Sequence, residues 1–279
     1  MLSAKIGYFR ATANPEALAW RAAVIANGGT VSASTLAAVS NFCNAIQTAG
    51  IRDRFYRLNL FAGTGLSAAL VPLYRGQSLG GTQFGNTTDT NVNFAAGDYA
   101  ESTGLTGNGS SKYLQTGLQP SAWITGGNVR SHLAIYKRTS AVVGSSGVMI
   151  SSRLSSPVRA WEFGAGGHPL GENHGPQPLP TPYDSFLCAT RETDASVIGS
   201  RNSTFNSAVT YSTTVNATSI PLAIFCRNNR STNSNGYTPS LYSNQTLAAY
   251  SIGGGLTQGE VLAYNTAMQA FQTALGRNV

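Results

Sequence analysis

The spacing of apolar positions changes period once along the chain. In the first fifty residues it is helical. Asn14, Pro15 and Glu16 offer an N-cap, a first-turn proline and an acid at the positive end of a helix dipole, ALAWRAAVIAN follows, and Gly28-Gly29 stops the run. A second helix is expected from Ser32 or Ser34, because Leu36, Val39, Cys43 and Ile46 recur at i, i+3, i+7 and i+10, and Gly50 ends it. From Ile51 the period becomes two. RFYRLNLF puts Tyr56, Leu58 and Leu60 on one face and Phe55, Arg57 and Asn59 on the other, as in a half-buried strand.

Further strand candidates are AALVPLY, VNFA, SKYLQTG, SHLAIYKR, GVMISSR, VRAWEFG, SFLCATR, DASVIGS, AVTYSTTV, IPLAIFCR and TLAAYSIG, separated by Gly-, Asn- and Ser-rich turns. No helical crossovers lie between them, so the expected fold is mainly β, an antiparallel sandwich or jelly roll. At the C-terminal end Thr257-Gln258-Gly259-Glu260 matches a capping box. Behind it Tyr264, Met268, Phe271 and Leu275 form one helical stripe that should dock on the sandwich or on the first helices. The expected organisation is a two-helix N-terminal appendage over residues 1–50, a jelly-roll β-sandwich over 51–256, and a C-terminal helix over 257–279.

Composition narrows the function classes. Only 10% of the 279 residues are charged, while 42% are hydrophobic and roughly a quarter are Ser, Thr or Asn. That excludes a disordered or coiled-coil chain. The net charge of +7 comes from scattered Lys and Arg, with Arg52, Arg54 and Arg57 split between strand faces, so no nucleic-acid surface is expected. Cys43, Cys188 and Cys226 lie in apolar patterns and read as buried free thiols. The opening MLSAKIGYFRATANPEALAW has no apolar core of a signal peptide, and no stretch approaches the roughly 18 apolar residues of a membrane span.

Few residues suggest chemistry. A glycan-cleaving enzyme needs two carboxylates about 5–9.5 Å apart. Glu162 stands alone on its strand, and Glu192 and Asp194 sit at a strand-to-turn junction. His168, Glu172 and His174 cluster in a proline-rich loop without zinc-site spacing, and His132 opens a strand. Asp89-Thr90-Asn91-Val92-Asn93 lacks the glycine and closing Glu of a calcium loop. No metal and no cofactor is expected. One surface constellation is left: Arg227–Tyr237 joins two strands with amides, hydroxyls and an aromatic ring, the groups that hold sugars. Trp161, Asn228, Arg230 and Tyr237 are therefore the candidate glycan-binding residues.

GLTGNGSSKYLQTG resembles the strand-turn-strand opening of concanavalin A-like, or laminin G-like, jelly rolls. GGTVSASTLAAVSNFCNAIQTAGIRDRFYRLNLFAG and YSIGGGLTQGEVLAYNTAMQAFQTALGRNV resemble tailed-phage proteins in which two short helices precede such a sandwich and a C-terminal helix closes it. The resemblance covers Asn14 to Val279. It implies a non-enzymatic virion structural protein, placed as capsid decoration or cement, tail fibre or baseplate component. Its partners would be major capsid or tail proteins, and it would form a homo-oligomer, a trimer by preference. It would be made in the host cytoplasm and end in the virion. Laminarinase-like relatives of the same sandwich carry an E-x-D-x-x-E strand, which is missing here. The alternative is a lectin-like adhesion module for a host-surface glycan, and a glycan hydrolase comes third.

Overall fold

The computed structural model of the chain describes residues 13–124, 129–139, 147–155, 158–164, 184–193, 196–210, 218–230 and 237–279. Helices α1 (Pro15–Ala26) and α2 (Ala33–Thr48) lead into β1 (Phe55–Asn59) and a single helical turn, α3 (Leu66–Ala69). Four short strands follow: β2 (Thr90–Val92), β3 (Tyr99–Ala100), β4 (Gly104–Thr106) and β5 (Tyr113–Gln115). Then come the long ones, β6 (Ser131–Lys137), β7 (Val148–Ser155), β8 (Val158–Gly164), β9 (Ser185–Thr193) and β10 (Ser196–Arg201). The chain finishes through β11 (Thr204–Phe205), β12 (Val209–Thr210), β13 (Ala223–Ile224), β14 (Arg227–Arg230), β15 (Thr238–Ser240), β16 (Thr246–Gly253) and α4 (Gln258–Ala274).

The helix ends form as their residues dictate. The Asn14 side chain accepts from the Glu16 amide at 2.9 Å, and Ser32 Oγ accepts from the Thr35 amide at 3.0 Å. Thr257 and Glu260 close their capping box reciprocally, at 3.1 and 2.8 Å.

The strands build two sheets in a sandwich-like arrangement. One runs β11–β10–β9–β6–β16–β4–β3, with β1 also paired to β16 and β12 to β10. The other runs β15–β14–β7–β13–β5–β2, with β8 on β7. Among the described residues every pairing is antiparallel except β14 with β7, where Asn229 lies beside Arg153.

The first sheet is buried on both faces, so β6 carries seven consecutive buried residues. Leu133 and Ile135 face the second sheet, in a core with Met149, Ile150, Trp161 and Phe163. Ala134 and Tyr136 face the helices instead. The residues expected to form an N-terminal appendage share that second core with the C-terminal helix: Phe42 of α2 meets Tyr264 and Phe271 of α4 at 6.4 and 5.8 Å, and Tyr264 rests on Phe55 and Phe186. The result is three layers, helices over sheet over sheet.

Several expectations about local structure fail; VNFA, for one, is strand only at Val92, because Asn93 turns the chain at φ +66°. AALVPLY is no strand: Gly65, at φ +84°, starts α3 there, and Tyr74 forms only an isolated bridge to Leu58. In β1 a bulge between Phe55 and Arg57 resets the alternation, so Phe55 joins Leu58 and Leu60 toward the helices while Tyr56 faces the other way. Arg57 and Asn59 are not solvent-facing. Both are buried around Asp89, whose carboxylate accepts from Arg57 Nε and Nη2 (3.0 and 2.7 Å), Asn59 Nδ2 (2.8 Å) and the Tyr250 hydroxyl (2.7 Å). Burial alone would lower the Arg57 pKa, but Asp89 and Tyr250 outweigh it and hold the guanidinium above its ordinary range.

Candidate functional site

Strands β9, β6, β16 and β1 are neighbours and antiparallel, so β6 and β1 begin at the same end of the sheet where β9 and β16 finish. At that end lies a cleft of about 520 Å³. Its walls come from separate places: Asp53 and Arg54 on a 3-10 turn before β1, Tyr56 in β1, Trp123 after the 3-10 turn Pro120–Ala122, Glu192 at the end of β9, and Glu260 in the first turn of α4.

The apolar wall is an aromatic stack. The Tyr56 and Trp123 rings lie 5.5 Å apart and within 27° of parallel, and Phe84 meets Tyr56 edge-on at 5.1 Å. Trp123 is 8% exposed, and its buried indole Nε1–H has no hydrogen-bond partner among the described residues. Partial burial, and then the Asp53 charge, push the Tyr56 phenol above its ordinary pKa.

The polar wall divides into groups already used and groups left over. Glu260 is used on both oxygens: one accepts from Arg54 Nε and Nη2 at 3.3 and 3.2 Å, the other caps Thr257. Asp53 is 65% exposed and only loosely near Arg54, at 3.9 Å. Glu192 has no ion pair or hydrogen bond among the described residues, and Arg130 is engaged in an interaction of its own.

Gly254 and Gly255 line the floor, with Gly253 buried just before them. A Cβ on Gly253 would run into the Arg54 carbonyl and the His132 ring, and one on Gly255 into the Arg191 carbonyl. The run that reads in the sequence as a turn is thus a close backbone crossing. Beneath it, buried His132 donates from Nδ1 to the Gly254 carbonyl at 2.7 Å and accepts at Nε2 from Ser251 Oγ at 3.0 Å, the tautomer a carbonyl partner requires. Burial lowers its pKa to about 4, against a smaller upward pull from the Gly254 hydrogen bond.

The candidate residues read from the sequence do not gather in this cleft. Trp161 is 0% exposed in the core between the sheets, because β8 alternates and places Trp161 and Phe163 inward; its ring has no face to offer a sugar. Asn228 is buried too, its Nδ2 donating to the Pro221 carbonyl at 2.7 Å. Arg230 is half-buried on β14, and Tyr237, 44% exposed, precedes β15. The loop between them, 231–236, is outside the described residues, as are Asp194, His168, Glu172 and His174. Glu162 holds Arg227 in a two-armed ion pair at 2.7 and 2.5 Å and does not line the cleft, whereas Glu192 does. Asp89 is saturated by its donors, with no oxygen left for a cation. Sequence reasoning missed Tyr56 and Trp123 because they meet only in the folded chain; the one local signal was the Gly-Gly-Gly run feeding a capping box.

Among the described residues no cluster of His, Cys, Asp and Glu is placed to hold a metal ion, and no helix is long and apolar enough to cross a membrane. No family model and no curated protein matches the chain. It is similar in structure to a mutant Trypanosoma rangeli sialidase displaying trans-sialidase activity, at TM-score 0.48 and 10% identity over 84% of this chain and 39% of that one. It is also similar to the binding domain of botulinum neurotoxin DC, solved with rat synaptotagmin II, at TM-score 0.39 and 9% identity over 59% and 42% of the two chains. The chain thus spans about two fifths of the length of either protein, and both TM-scores are too low to carry a functional argument.

Proposed function

We propose that this chain is a non-enzymatic glycan-binding module, built on a concanavalin A-like jelly roll and carried on the outside of a tailed-phage particle. The observation that carries the binding role is the cleft at the end of the first sheet, lined by the Tyr56–Trp123 stack together with the carboxylates of Asp53 and Glu192 and the hydroxyls of Thr193 and Thr257. Sugars bind to such surfaces, their apolar ring faces on an aromatic ring and their hydroxyls on charged or amide groups. The hydrolytic pairing of Glu162 with Glu192 is not assembled, since Glu162 is committed to Arg227 on the other sheet while Glu192 stands in the cleft without it. The jelly-roll type and the particle placement, with capsid or tail proteins as neighbours and a homo-oligomeric state, rest on the segments 28–63 and 250–279 and on GLTGNGSSKYLQTG.

The test is a glycan array on the purified chain, followed by titration calorimetry on the best hits. Tyr56→Ala should abolish binding while circular dichroism stays unchanged, and Tyr237→Ala should leave it intact. Binding lost with Tyr237→Ala and kept in Tyr56→Ala would move the site to the β14–β15 edge. Incubation of the hits with the protein should release no reducing ends.

A further inference from the structure

We infer that the cleft selects sugars without anionic groups, and that Glu192 is the residue that selects them. This deepens the glycan-binding reading and rests on it. Nearly every described carboxylate is locked into the fold: Glu16 on Arg52, Asp89 on Arg57, Asp98 on Lys112, Glu162 on Arg227, Asp184 on Arg201 and Glu260 on Arg54. Glu101 accepts from the Gly63 amide at 2.6 Å and from the Thr35 hydroxyl. The two left without a close partner, Asp53 and Glu192, both line the cleft. The cleft's cationic groups are not left over in the same way, since Arg54 is held by Glu260 and Arg130 has an interaction of its own.

The unsatisfied chemistry of the site is therefore acceptor-rich. A carboxylate accepts from two neighbouring hydroxyls at once, and the lone buried donor, Trp123 Nε1–H, suits a hydroxyl or ring oxygen. A hexose supplies that set. A sialic acid or uronic acid would set its own carboxylate against Asp53 and Glu192, in a lining where Arg54 is already held by Glu260.

The sign of one substitution decides the matter. Glu192→Gln keeps the shape of a half-exposed side chain and removes its charge, so the fold should survive; thermal melts will check this. Calorimetry is run on neutral oligosaccharides of glucose, galactose and N-acetylglucosamine and, in parallel, on sialylated and uronic-acid oligosaccharides. The expected result is binding of a neutral sugar that weakens about tenfold in Glu192→Gln, the loss of hydrogen bonds to a charged acceptor. Binding of an acidic sugar as tight as the neutral one, or tightening in Glu192→Gln, would overturn the inference and leave the glycan-binding reading standing. No binding in either series would overturn that reading itself. Trp123→Phe keeps the stack and removes the donor; an unchanged affinity would remove Trp123 from the proposed set.

Discussion

Arg57 offers the strictest test of the fold. Its guanidinium and the Asp89 carboxylate are both fully buried and 2.7 Å apart, tying β1 to the segment before β2 and, through Tyr250, to β16. Arg57→Met keeps most of the buried stem but leaves Asp89 with only Asn59 and Tyr250 as donors, and strands the Asn86 carbonyl, which accepts from Nη1 at 3.0 Å. A buried charge stripped of its partner costs about 3–5 kcal/mol. At roughly 2–4 °C per kcal/mol for a chain of this size class, the melting temperature should fall by about 6–20 °C. Asp89→Asn should cost about 3 kcal/mol or somewhat more, since the guanidinium keeps its carbonyl partners but loses the only anion. The double variant Arg57→Met/Asp89→Asn should cost less than the two single changes added, because neither charge is left behind. Urea unfolding of the four proteins measures all of this. A loss under about 1 kcal/mol for Arg57→Met, or strict additivity, would mean that water reaches the pair and that the three-layer packing around it is wrong.

Three further outcomes follow from other buried groups. The folded pKa of His132, about 4, lies below its unfolded value of about 6.5, so the unfolded chain binds the extra proton between those limits. Stability should be full above pH 6.5 and should decline by up to about 3 kcal/mol as pH falls toward 4; urea midpoints read across that range in wild type and in His132→Gln should differ in slope, and parallel slopes would reject the assignment. Arg277, pulled down to a pKa of about 10 by burial yet charged at neutral pH, donates to the carbonyls of Leu60, Phe61, Glu101 and Ala248. Arg277→Met should cost about 3 kcal/mol in urea unfolding through those stranded acceptors, and a change under about 0.5 kcal/mol would mean that they find water. Burial raises all three thiols, Cys43 and Cys226 to about 12, so Ellman's reagent should be silent on the native protein and count three cysteines in denaturant.

The parts of the fold that are legible in the sequence are those specified locally. The helix ends could be read because capping side chains and glycines act within one turn, β8 could be placed because of its alternation, and β16 because its apolar run is as long as the strand. The two- and three-residue strands, β3 or β13 for instance, have no such signal; a partner across the sheet makes them strands. Arg57 was misread for a related reason. A strand whose two faces are both buried shows no apolar-polar alternation, so a lone arginine looks like a solvent face when it marks a buried ion pair. Trp161 failed as a site residue for the opposite reason, since an alternating strand between sheets buries its largest side chain first. The cleft draws on segments up to two hundred residues apart, and no window of sequence contains it.

The local exception is the floor of that cleft, and it ties binding to folding. For α4 to start where β16 ends, the backbone must pass directly over the Arg54 and Arg191 carbonyls, and only residues without a Cβ can do so at Gly253 and Gly255. His132 then pins the Gly254 carbonyl from below. A floor fixed this way is ordered before any ligand arrives, so binding loses little entropy in organising it. The three glycines should accordingly behave differently despite standing side by side. Gly255→Ala and Gly253→Ala should lower the melting temperature and weaken saccharide binding together, because the crossing must open to admit the methyl group. Gly254→Ala should change neither, since its Cβ would meet only the Arg54 carbonyl, at an ordinary 3.9 Å. Melting curves and calorimetry on the three variants separate the cases. Equal effects at all three positions would mean that the run acts as a flexible hinge, and the argument for a rigid, preformed cleft would fail with it.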